Sequence, residues 1–371
     1  RSAQTKGIEA HRKVEFVVST GHFLTTNCKY ADILLPITTE WEKVGGFGGF
    51  SNRETLVFYS QVTEPLFEAK SDMWIAQELG KRLGLDPTEI CPVDENQQFY
   101  NKIAGAKVIG ADGKTMETLV TLTAADIQEL GAKGEPQQGR ISFQELKAKG
   151  VYQVERKPGD NLGFIAYEAF RKDPVANPLK TASGKLEIHS QALADFIKAY
   201  GFTEIQPIPT YNPAVEGREA TYQDFKGKVK GDYPLQVINP HYLRRSHTIL
   251  DNNPWLREAW PNPVFLSSKD AEERGIKTGD TVLIKSKHGR TLRIAEVTET
   301  LMPGVVGLPH GAWVQMDEKN QVDTAGSDNI LTGPIPTGQG IGAWNTTICQ
   351  VEKWTGTPLT ADVKWPLRIV L

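Results

Sequence analysis

The stretch that decides the fold is DTVLIKSKHGRTLRIAEVTE, residues 280–299. Apolar and polar residues alternate on both sides of HGRT (288–291), which predicts two antiparallel strands joined by a hairpin turn. Short apolar runs of the same kind recur through residues 233–371, as YPLQVIN, NPVFLS, GVVGLPHG and ICQVEKW. About 140 residues of short strands with one or two helices predict a closed barrel of six or seven strands.

The first 85 residues have a different pattern. VEFVVST (14–20) is apolar and β-branched, which predicts a buried strand of the parallel type, and ADILLP (31–36) is a second short apolar run. SDMWIAQELGKRLGL (71–85) predicts a helix that Ser71 or Asp72 caps. Strand, strand and helix in this order indicate an α/β domain.

The middle of the chain carries weaker signals. Short helices are predicted at 124–131 and 142–149, and TASGKLEIHS (181–190) predicts a turn followed by a strand. A helix at 191–201 ends at a glycine, and the proline-rich residues 202–232 predict a surface connection.

A glycine-rich stretch, GGFGGFSN (45–52), invites comparison with a phosphate-binding loop. It lacks the G-x-x-x-x-G-K-[ST] spacing and no helix follows it, so a P-loop is rejected. We expect these glycines to allow tight packing instead.

Composition excludes several classes of protein. The net charge of −3 leaves no electrostatic footprint for nucleic acid. Cys28, Cys91 and Cys349 are far apart and form no C-x-x-C pair, which argues against a zinc site or a disulfide framework. No apolar run approaches the roughly 20 residues that span a bilayer, and no signal peptide is visible. The chain begins at Arg1 and soon enters a strand, so we expect a piece of a longer protein whose compartment the sequence does not reveal.

A dense polar cluster, NPHYLRRSHT (239–248), follows the apolar run YPLQVI. It has three interpretations: a solvated loop, a nucleic-acid patch, or a strand-end loop that holds an anionic small molecule. The net charge argues against nucleic acid, and the residues alone leave the other two open.

Four stretches together resemble a known family. They are YADILLPITTEWEKVGGFGGFSNRE with EAKSDMW, TASGKLEIHS, NPHYLRRSHT, and SSKDAEERGIKTGDTVLIKSKHGR with PGVVGLPHGAW and DNILT. In this order they resemble the catalytic subunits of molybdopterin oxidoreductases of the dimethyl sulfoxide reductase family, and within it the anaerobic dimethyl sulfoxide reductases.

The resemblance implies a fold and a cofactor. In the family, two molybdopterin guanine dinucleotides bind one molybdenum ion between domains. Residues 1–180 would be the C-terminal remainder of a Rossmann-like α/β domain with an insertion, residues 181–232 a connecting segment, and residues 233–371 a double-psi β-barrel that binds the pterins.

The resemblance also implies site residues, each with a structural alternative. Arginine can form bidentate bonds to phosphate, whereas histidine, serine, threonine and asparagine suit the pterin edge. Asp72 would read guanine or simply cap its helix, and Trp313 would line the cleft or the barrel core. The alternative for residues 239–248 is that side chains such as Arg244 point to solvent while only the backbone contacts the ligand. The expected cofactor-binding residues are Ser19, Thr20, Lys43, Asp72, Asn239, His241, Tyr242, Arg245, Ser246, His247, Thr248, His310, Trp313, Asn329 and Asn345.

The family's iron–sulfur cysteines and molybdenum ligand belong to an N-terminal half, so we expect no catalytic residue or metal ligand in this chain and no activity from it alone. The implied partners are that half, an iron–sulfur electron-transfer subunit and a membrane-anchor subunit, with the parent periplasmic or membrane-associated. The parent would reduce an S- or N-oxide by oxygen-atom transfer in anaerobic respiration.

Three alternatives remain open. The first is another substrate, such as nitrate, formate, thiosulfate or selenate. The second is a stand-alone module that binds the cofactor without catalysis. The third is an unrelated hydrolase, against which the sequence offers no G-x-S-x-G or H-E-x-x-H motif.

Overall fold

The computed structural model describes residues 3–49, 54–110, 115–155, 165–203, 205–335 and 346–359. The chain divides into two compact units. The barrel unit comprises Arg1–Glu15 and Ala166–Leu371, and the α/β unit comprises Phe16–Ile165. The finer expectations, a Rossmann-like domain and domain bounds at 1–180, 181–232 and 233–371, stay predictions.

Helix α1 (Gln4–Lys13) belongs to the barrel unit although it lies at the start of the chain. The backbone N–H of Ala3 donates to the Thr332 carbonyl at 2.8 Å, and the Ser327 hydroxyl donates to Gln4 Oε1 at 2.7 Å. These bonds attach the N-terminal helix to the segment that follows the short strand Val322–Asp323.

The described part of the α/β unit contains four small sheets and several helices. In chain order its elements are β1 (Val18–Gly21), α2 (Thr26–Lys29), β2 (Ile33–Pro36), β3 (Gly45–Gly49), β4 (Thr55–Ser60), α3 (Asp72–Arg82), α4 (Pro87–Ile90), α5 (Glu95–Ala104), β5 (Lys107–Ile109), β6 (Met116–Thr118), β7 (Val120–Thr121), α6 (Ala124–Glu129), β8 (Ile141–Ser142), α7 (Phe143–Lys149) and β9 (Val151–Gln153).

Strands β1 and β2 pair in parallel, with Val18 opposite Ile33. The parallel pairing agrees with the sequence, but the prediction of a buried strand is wrong: Val18 and Ile33 are each 44% exposed. In the part of the chain that the structure describes, these strands form a sheet of two, which is too narrow to bury both faces.

The glycine-rich stretch forms strand β3, antiparallel to β4, with β9 on the other side of β4. A Cβ atom on Gly45 would come within 2.7 Å of the Phe99 ring, and one on Gly46 would overlap the Tyr59 ring. The glycines therefore allow two aromatic rings to lie directly on the strand, as the expectation of tight packing required. Below them, Ile103, Val108 and Leu119 belong to the core of this unit and are fully buried.

The barrel unit continues after residue 165. Its elements are α8 (Glu168–Lys172), α9 (Gln191–Tyr200), β10 (Tyr222–Asp224), β11 (Val229–Lys230), β12 (Leu235–Ile238), α10 (Pro254–Ala259), β13 (Pro263–Ser267), α11 (Ser268–Glu272), β14 (Thr281–Lys285), β15 (Arg290–Thr298), β16 (Val305–Gly307), β17 (Met316–Asp317), β18 (Val322–Asp323) and β19 (Ile348–Lys353), with 3₁₀ turns at Glu219–Thr221 and Asp328–Ile330.

One predicted strand is wrong. Residues 181–190 form turns and bends rather than a strand, and Leu186 and Ile188 are 79% and 72% exposed. An apolar alternation becomes a strand only where a neighbour can pair with it, and no described strand lies beside this segment.

Six strands close into a barrel, as the sequence predicts. The ring runs β13, β16, β12, β19, β14 and β15, and β15 pairs back with β13 in parallel. Strands β18 and β17 extend from β15 outside the ring. Val264, Leu266 and Ile284 are fully buried in this unit. Burial along β14 does not alternate, because residues 281–284 are all buried and both faces of the strand are therefore covered. None of the helices that the structure describes is long and apolar enough to cross a membrane.

Candidate functional site

Two polar loops leave the barrel at the same end. Strands β12 and β16 are parallel, with Ile238 opposite Gly307. The segments that follow them, 239–248 and 308–313, therefore begin side by side. The first is the polar cluster that the sequence singles out, and the second contains His310 and Trp313.

The two loops touch at a glycine. Gly311 has a φ of +93°, and a Cβ atom there would overlap the carbonyl oxygen of His247. His247 itself has a φ of +53°, in the left-handed region that non-glycine residues rarely adopt. The two loops can approach each other this closely because Gly311 has no side chain.

Three imidazole rings gather at this contact. The ring centroid of His310 lies 4.3 Å from that of His241 and 4.6 Å from that of His247. Nε2 of His310 accepts a hydrogen bond from the backbone N–H of His247 at 3.1 Å, so the ring proton lies on Nδ1. Burial, with the nearby His241 and His247, lowers the pKa of His310. No His, Cys, Asp or Glu group in the described ranges is arranged to hold a metal ion.

Arg245 is held inside the protein. Its guanidinium donates to Asp251 Oδ1 at 3.0 Å, to Asn262 Oδ1 at 2.6 Å and to the His310 carbonyl at 3.2 Å. These bonds make Arg245 a brace between the two loops, which is a different task from the expected phosphate contact. The expectation that Arg244 points to solvent is wrong: it is 2% exposed and lies 3.5 Å from Asp251.

A buried aspartate ties the base of the loops together. Asp328 accepts hydrogen bonds from the Gly311 N–H at 2.8 Å and from the side-chain amide of Asn239 at 3.0 Å. The amide of Asn329 donates to the same carboxylate at 3.3 Å. Burial raises the pKa of Asp328, against the opposing charge of Arg293. Asn239 and Asn329 are thus placed at the cluster, but their amides are partly used within the protein.

The other predicted barrel residues divide into packing and exposed groups. Tyr242 packs edge-on against Trp260 and Phe265, with centroid distances of 6.1 and 5.9 Å. Trp313 is half-buried, and its indole N–H donates to the Thr248 carbonyl at 2.9 Å. The predicted residues whose side chains remain exposed at this end are His241, Ser246, His247 and Thr248.

Sequence reasoning missed the residues that hold these loops. Asp251, Asn262, Asp328 and Gly311 make the bonds and the close contact described above. Asp328 stands in the stretch DNILT, directly before the predicted Asn329. An aspartate that precedes a short apolar run does not reveal that its carboxylate is buried.

The α/β unit contains a separate cavity of about 250 Å³. Lys43 and Asp72, 29 positions apart in sequence, both line it, together with the glycines of β3 and the Phe99 and Tyr59 rings. The sequence had offered the helix cap as the alternative role for Asp72. In the structure Ser71 is the cap, because its hydroxyl accepts from the Trp74 N–H at 3.1 Å.

The cavity wall carries mixed charge. Lys43 pairs with Glu40 at 3.2 Å, and the Tyr59 hydroxyl donates to Glu40 at 3.0 Å. Burial would raise the pKa of Glu40, but these two hydrogen bonds and the positive charges of Lys43 and Lys102 lower it overall. Asp72, by contrast, is exposed and has no hydrogen bond or ion pair to any described residue. The Asp72 carboxylate is therefore available to a ligand, as is that of Glu95, which also lines the cavity and has no hydrogen bond or ion pair to any described residue.

Three predicted residues lie apart from this cavity or outside the described ranges. The Ser19 hydroxyl is 3.5 Å from the Cys28 sulfur, and Thr20 is exposed at the end of β1. Neither lines the cavity. Asn345 lies outside the described residues.

A closed six-stranded barrel with polar loops at one end is consistent with a cofactor-binding domain, and comparison with known families finds one. The Molydopterin dinucleotide binding domain matches residues 235–347, and the Molybdopterin oxidoreductase family matches residues 1–82. The chain belongs to the molybdopterin oxidoreductase family.

Individual relatives agree. The chain is 35% identical over 353 residues to dimethyl sulfoxide reductase DmsA of Escherichia coli K12, an alignment that covers 93% of this chain and 39% of that protein. It is 30% identical over 361 residues to trimethylamine-N-oxide reductase 1 of Escherichia coli O6:H1, with 94% and 38% covered. The chain thus spans about two-fifths of the length of these relatives.

A solved structure shares the fold. Acetylene hydratase from Pelobacter acetylenicus matches 95% of this chain and 42% of its own, with a TM-score of 0.61 and 18% sequence identity.

Proposed function

We propose that this chain is the nucleotide-holding part of a molybdenum enzyme's catalytic subunit that carries bis(molybdopterin guanine dinucleotide) and reduces an S- or N-oxide. Similarity to a dimethyl sulfoxide reductase and to a trimethylamine-N-oxide reductase supports this substrate class. The bound cofactor would supply a molybdenum centre able to exchange an oxygen atom with the substrate. We also propose that the barrel is a double-psi β-barrel and that the α/β unit belongs to the remainder of a Rossmann-like domain.

The observation that carries the proposal is that Asp72 and Lys43 line the same cavity. Guanine presents two neighbouring N–H groups that one carboxylate can accept together, and adenine lacks this arrangement. A cavity of about 250 Å³ would enclose the base and leave the ribose and phosphates at its rim, since pockets that enclose a whole drug-sized ligand measure about 300–1,000 Å³. Asp72 would read the guanine, and Lys43 would lie beside the ribose or phosphate.

The barrel end would hold the pterin. His241, His247 and Thr248 expose imidazole and hydroxyl groups, which can donate to and accept from the pterin ring. Arg245 and Asp251 would act by holding these groups in place, since their charges are satisfied within the protein. The exposed Ser246 hydroxyl would contact the pterin in the same way.

The whole enzyme would require more than this chain. We include in the proposal an N-terminal half with an iron–sulfur cluster and the molybdenum ligand. We also include an iron–sulfur electron-transfer subunit and a membrane-anchor subunit. The whole enzyme would be periplasmic or membrane-associated. These parts rest on similarity to the relatives named above.

Calorimetric titration of the chain with GDP and with ADP tests the cavity assignment. We expect GDP to bind about tenfold more tightly than ADP, because the Asp72 carboxylate pairs with guanine alone. Asp72→Asn should remove this preference. Glu68→Gln, an exposed acid that does not line the cavity, is the control. Equal affinity for the two nucleotides, or an unchanged preference in Asp72→Asn, would contradict the proposal.

A further inference from the structure

Helix α5 forms one wall of the Asp72 cavity, although the sequence assigns no function to it. Glu95, Gln98 and Lys102 all line the cavity. They are spaced three and four residues apart, so they lie on one face of the helix. Similarity to the family suggests Lys43 and Asp72 as ligand-binding residues of this cavity. The polar residues of α5 are additional to them.

The wall is held in position by the adjacent, buried face of the same helix. Phe99, Tyr100 and Ile103 are buried in the core of the α/β unit. The Phe99 ring lies 5.8 Å from Phe58 and packs where Gly45 has no side chain. The Asp94 carboxylate caps the helix by accepting from the Gln97 N–H at 2.8 Å. Lys102 is therefore mounted on a rigid element.

The two lysines of the cavity differ in their partners. Lys43 forms an ion pair with Glu40, whereas Lys102 acts on Glu40 only through its charge and forms no hydrogen bond or ion pair with any residue that the structure describes. A single exposed lysine is ordinary on a protein surface. Here the ammonium group shares a cavity with an unpaired carboxylate, so one ligand with a base and a phosphate could engage both.

We infer that Lys102 is a further nucleotide-binding residue, which contacts the phosphates of a guanine nucleotide whose base Asp72 holds. The inference rests on the proposed function of the cavity. A lysine ammonium acts as a point charge towards phosphate, so its contribution depends on the phosphates and not on the base. Guanosine has no phosphate, so its binding should not depend on Lys102.

The test titrates the full chain with GDP and with guanosine. Lys102→Ala should weaken GDP binding about fivefold, as expected for a partly exposed charge pair, and leave guanosine binding unchanged. Lys102→Arg should retain most of the GDP affinity because it keeps the charge. Lys107→Ala, an exposed lysine on β5 outside the cavity, should bind like wild type. The salt dependence of GDP binding should also be shallower in Lys102→Ala.

The outcomes separate this inference from the proposed function. If wild type prefers GDP to ADP through Asp72 but Lys102→Ala binds GDP normally, the lysine has no such role and the cavity assignment stands. Equal weakening of GDP and guanosine would indicate a general disturbance of the wall and would also refute the phosphate contact. If wild type binds no guanine nucleotide, both claims fail. Lys102 is exposed, so we expect all variants to fold, and circular dichroism checks this.

Discussion

The backbone N–H of His247 donates a hydrogen bond to Nε2 of His310 at 3.1 Å, which joins the two polar loops at the end of the barrel. The acceptor nitrogen must be unprotonated, so the bond exists only while the His310 ring is neutral. The ring centroids of His241 and His247 lie 4.3 and 4.6 Å from that of His310, so a positive charge on His310 would form directly beside two other imidazole rings.

The first prediction concerns pH. Burial and the neighbouring imidazoles hold the pKa of His310 below its unfolded value of about 6.5. The folded state therefore binds fewer protons, so this stability is complete above about pH 6.5 and is lost as the pH falls towards the folded-state pKa. His310→Gln keeps an acceptor for the His247 N–H but does not titrate. Its free energy of unfolding, measured in urea, should fall less than that of wild type between about pH 7 and pH 5.

His189→Gln is the matched control, because His189 is exposed. Its pH dependence should follow wild type. His310 and Asp328 interact electrostatically, so the difference between wild type and His310→Gln also includes any change in the contribution of Asp328. Parallel curves for wild type and His310→Gln would contradict the assigned neutral ring.

The second prediction concerns Gly311. Gly311→Ala should lower the free energy of unfolding by about 3 kcal/mol, because the new Cβ overlaps the His247 carbonyl and the φ is positive. Gly304→Ala has a similar φ of +86° but open space around its Cβ. It should cost only about 1 kcal/mol. Similar losses in the two variants, measured by urea denaturation, would show that the loops are not in contact at this point.

The third prediction compares two arginine–carboxylate pairs. Arg245→Ala leaves the Asp251 carboxylate, which is 7% exposed, without its main partner and should cost about 3–5 kcal/mol. Arg12 and Glu318 form an ion pair in which both side chains are 51% exposed, so Arg12→Ala should cost less than about 1 kcal/mol. Denaturation curves give both values. A loss below about 1 kcal/mol for Arg245→Ala would contradict its role as a brace.

The fourth prediction separates a helix cap from a ligand contact at adjacent residues. Ser71→Ala should lower stability by about 1 kcal/mol, because the Trp74 N–H loses its acceptor. Asp72→Ala should cost about 0.5 kcal/mol through the helix dipole, yet it should abolish the preference for GDP over ADP. A large loss of stability in Asp72→Ala with a small loss in Ser71→Ala would instead identify Asp72 as the helix cap.

The barrel was predictable because its signals are local. The alternation across HGRT specifies a hairpin, and residues 281–285 and 290–298 do pair around it. The helix at 191–201 was likewise evident, and Gly201 ends it with a φ of +69°. These elements need no knowledge of distant residues.

The failures depend on distant partners. The run at 185–190 has the composition of a strand but lacks a neighbour, and Val18 is exposed because its sheet has two strands among the described residues. In the candidate site, the role of the cluster 239–248 in cofactor binding stays a prediction, and the sequence did not indicate that Arg245 forms its hydrogen bonds within the protein. Whether a guanidinium faces a ligand or a buried carboxylate depends on where Asp251 and Asn262 fold, which spacing does not encode.

A crystal structure of the chain with GDP tests the central claim most directly. We predict guanine density in the α/β-unit cavity, with two base nitrogens within about 3 Å of the Asp72 carboxylate. GDP bound elsewhere, or bound with its base turned away from Asp72, would contradict the account.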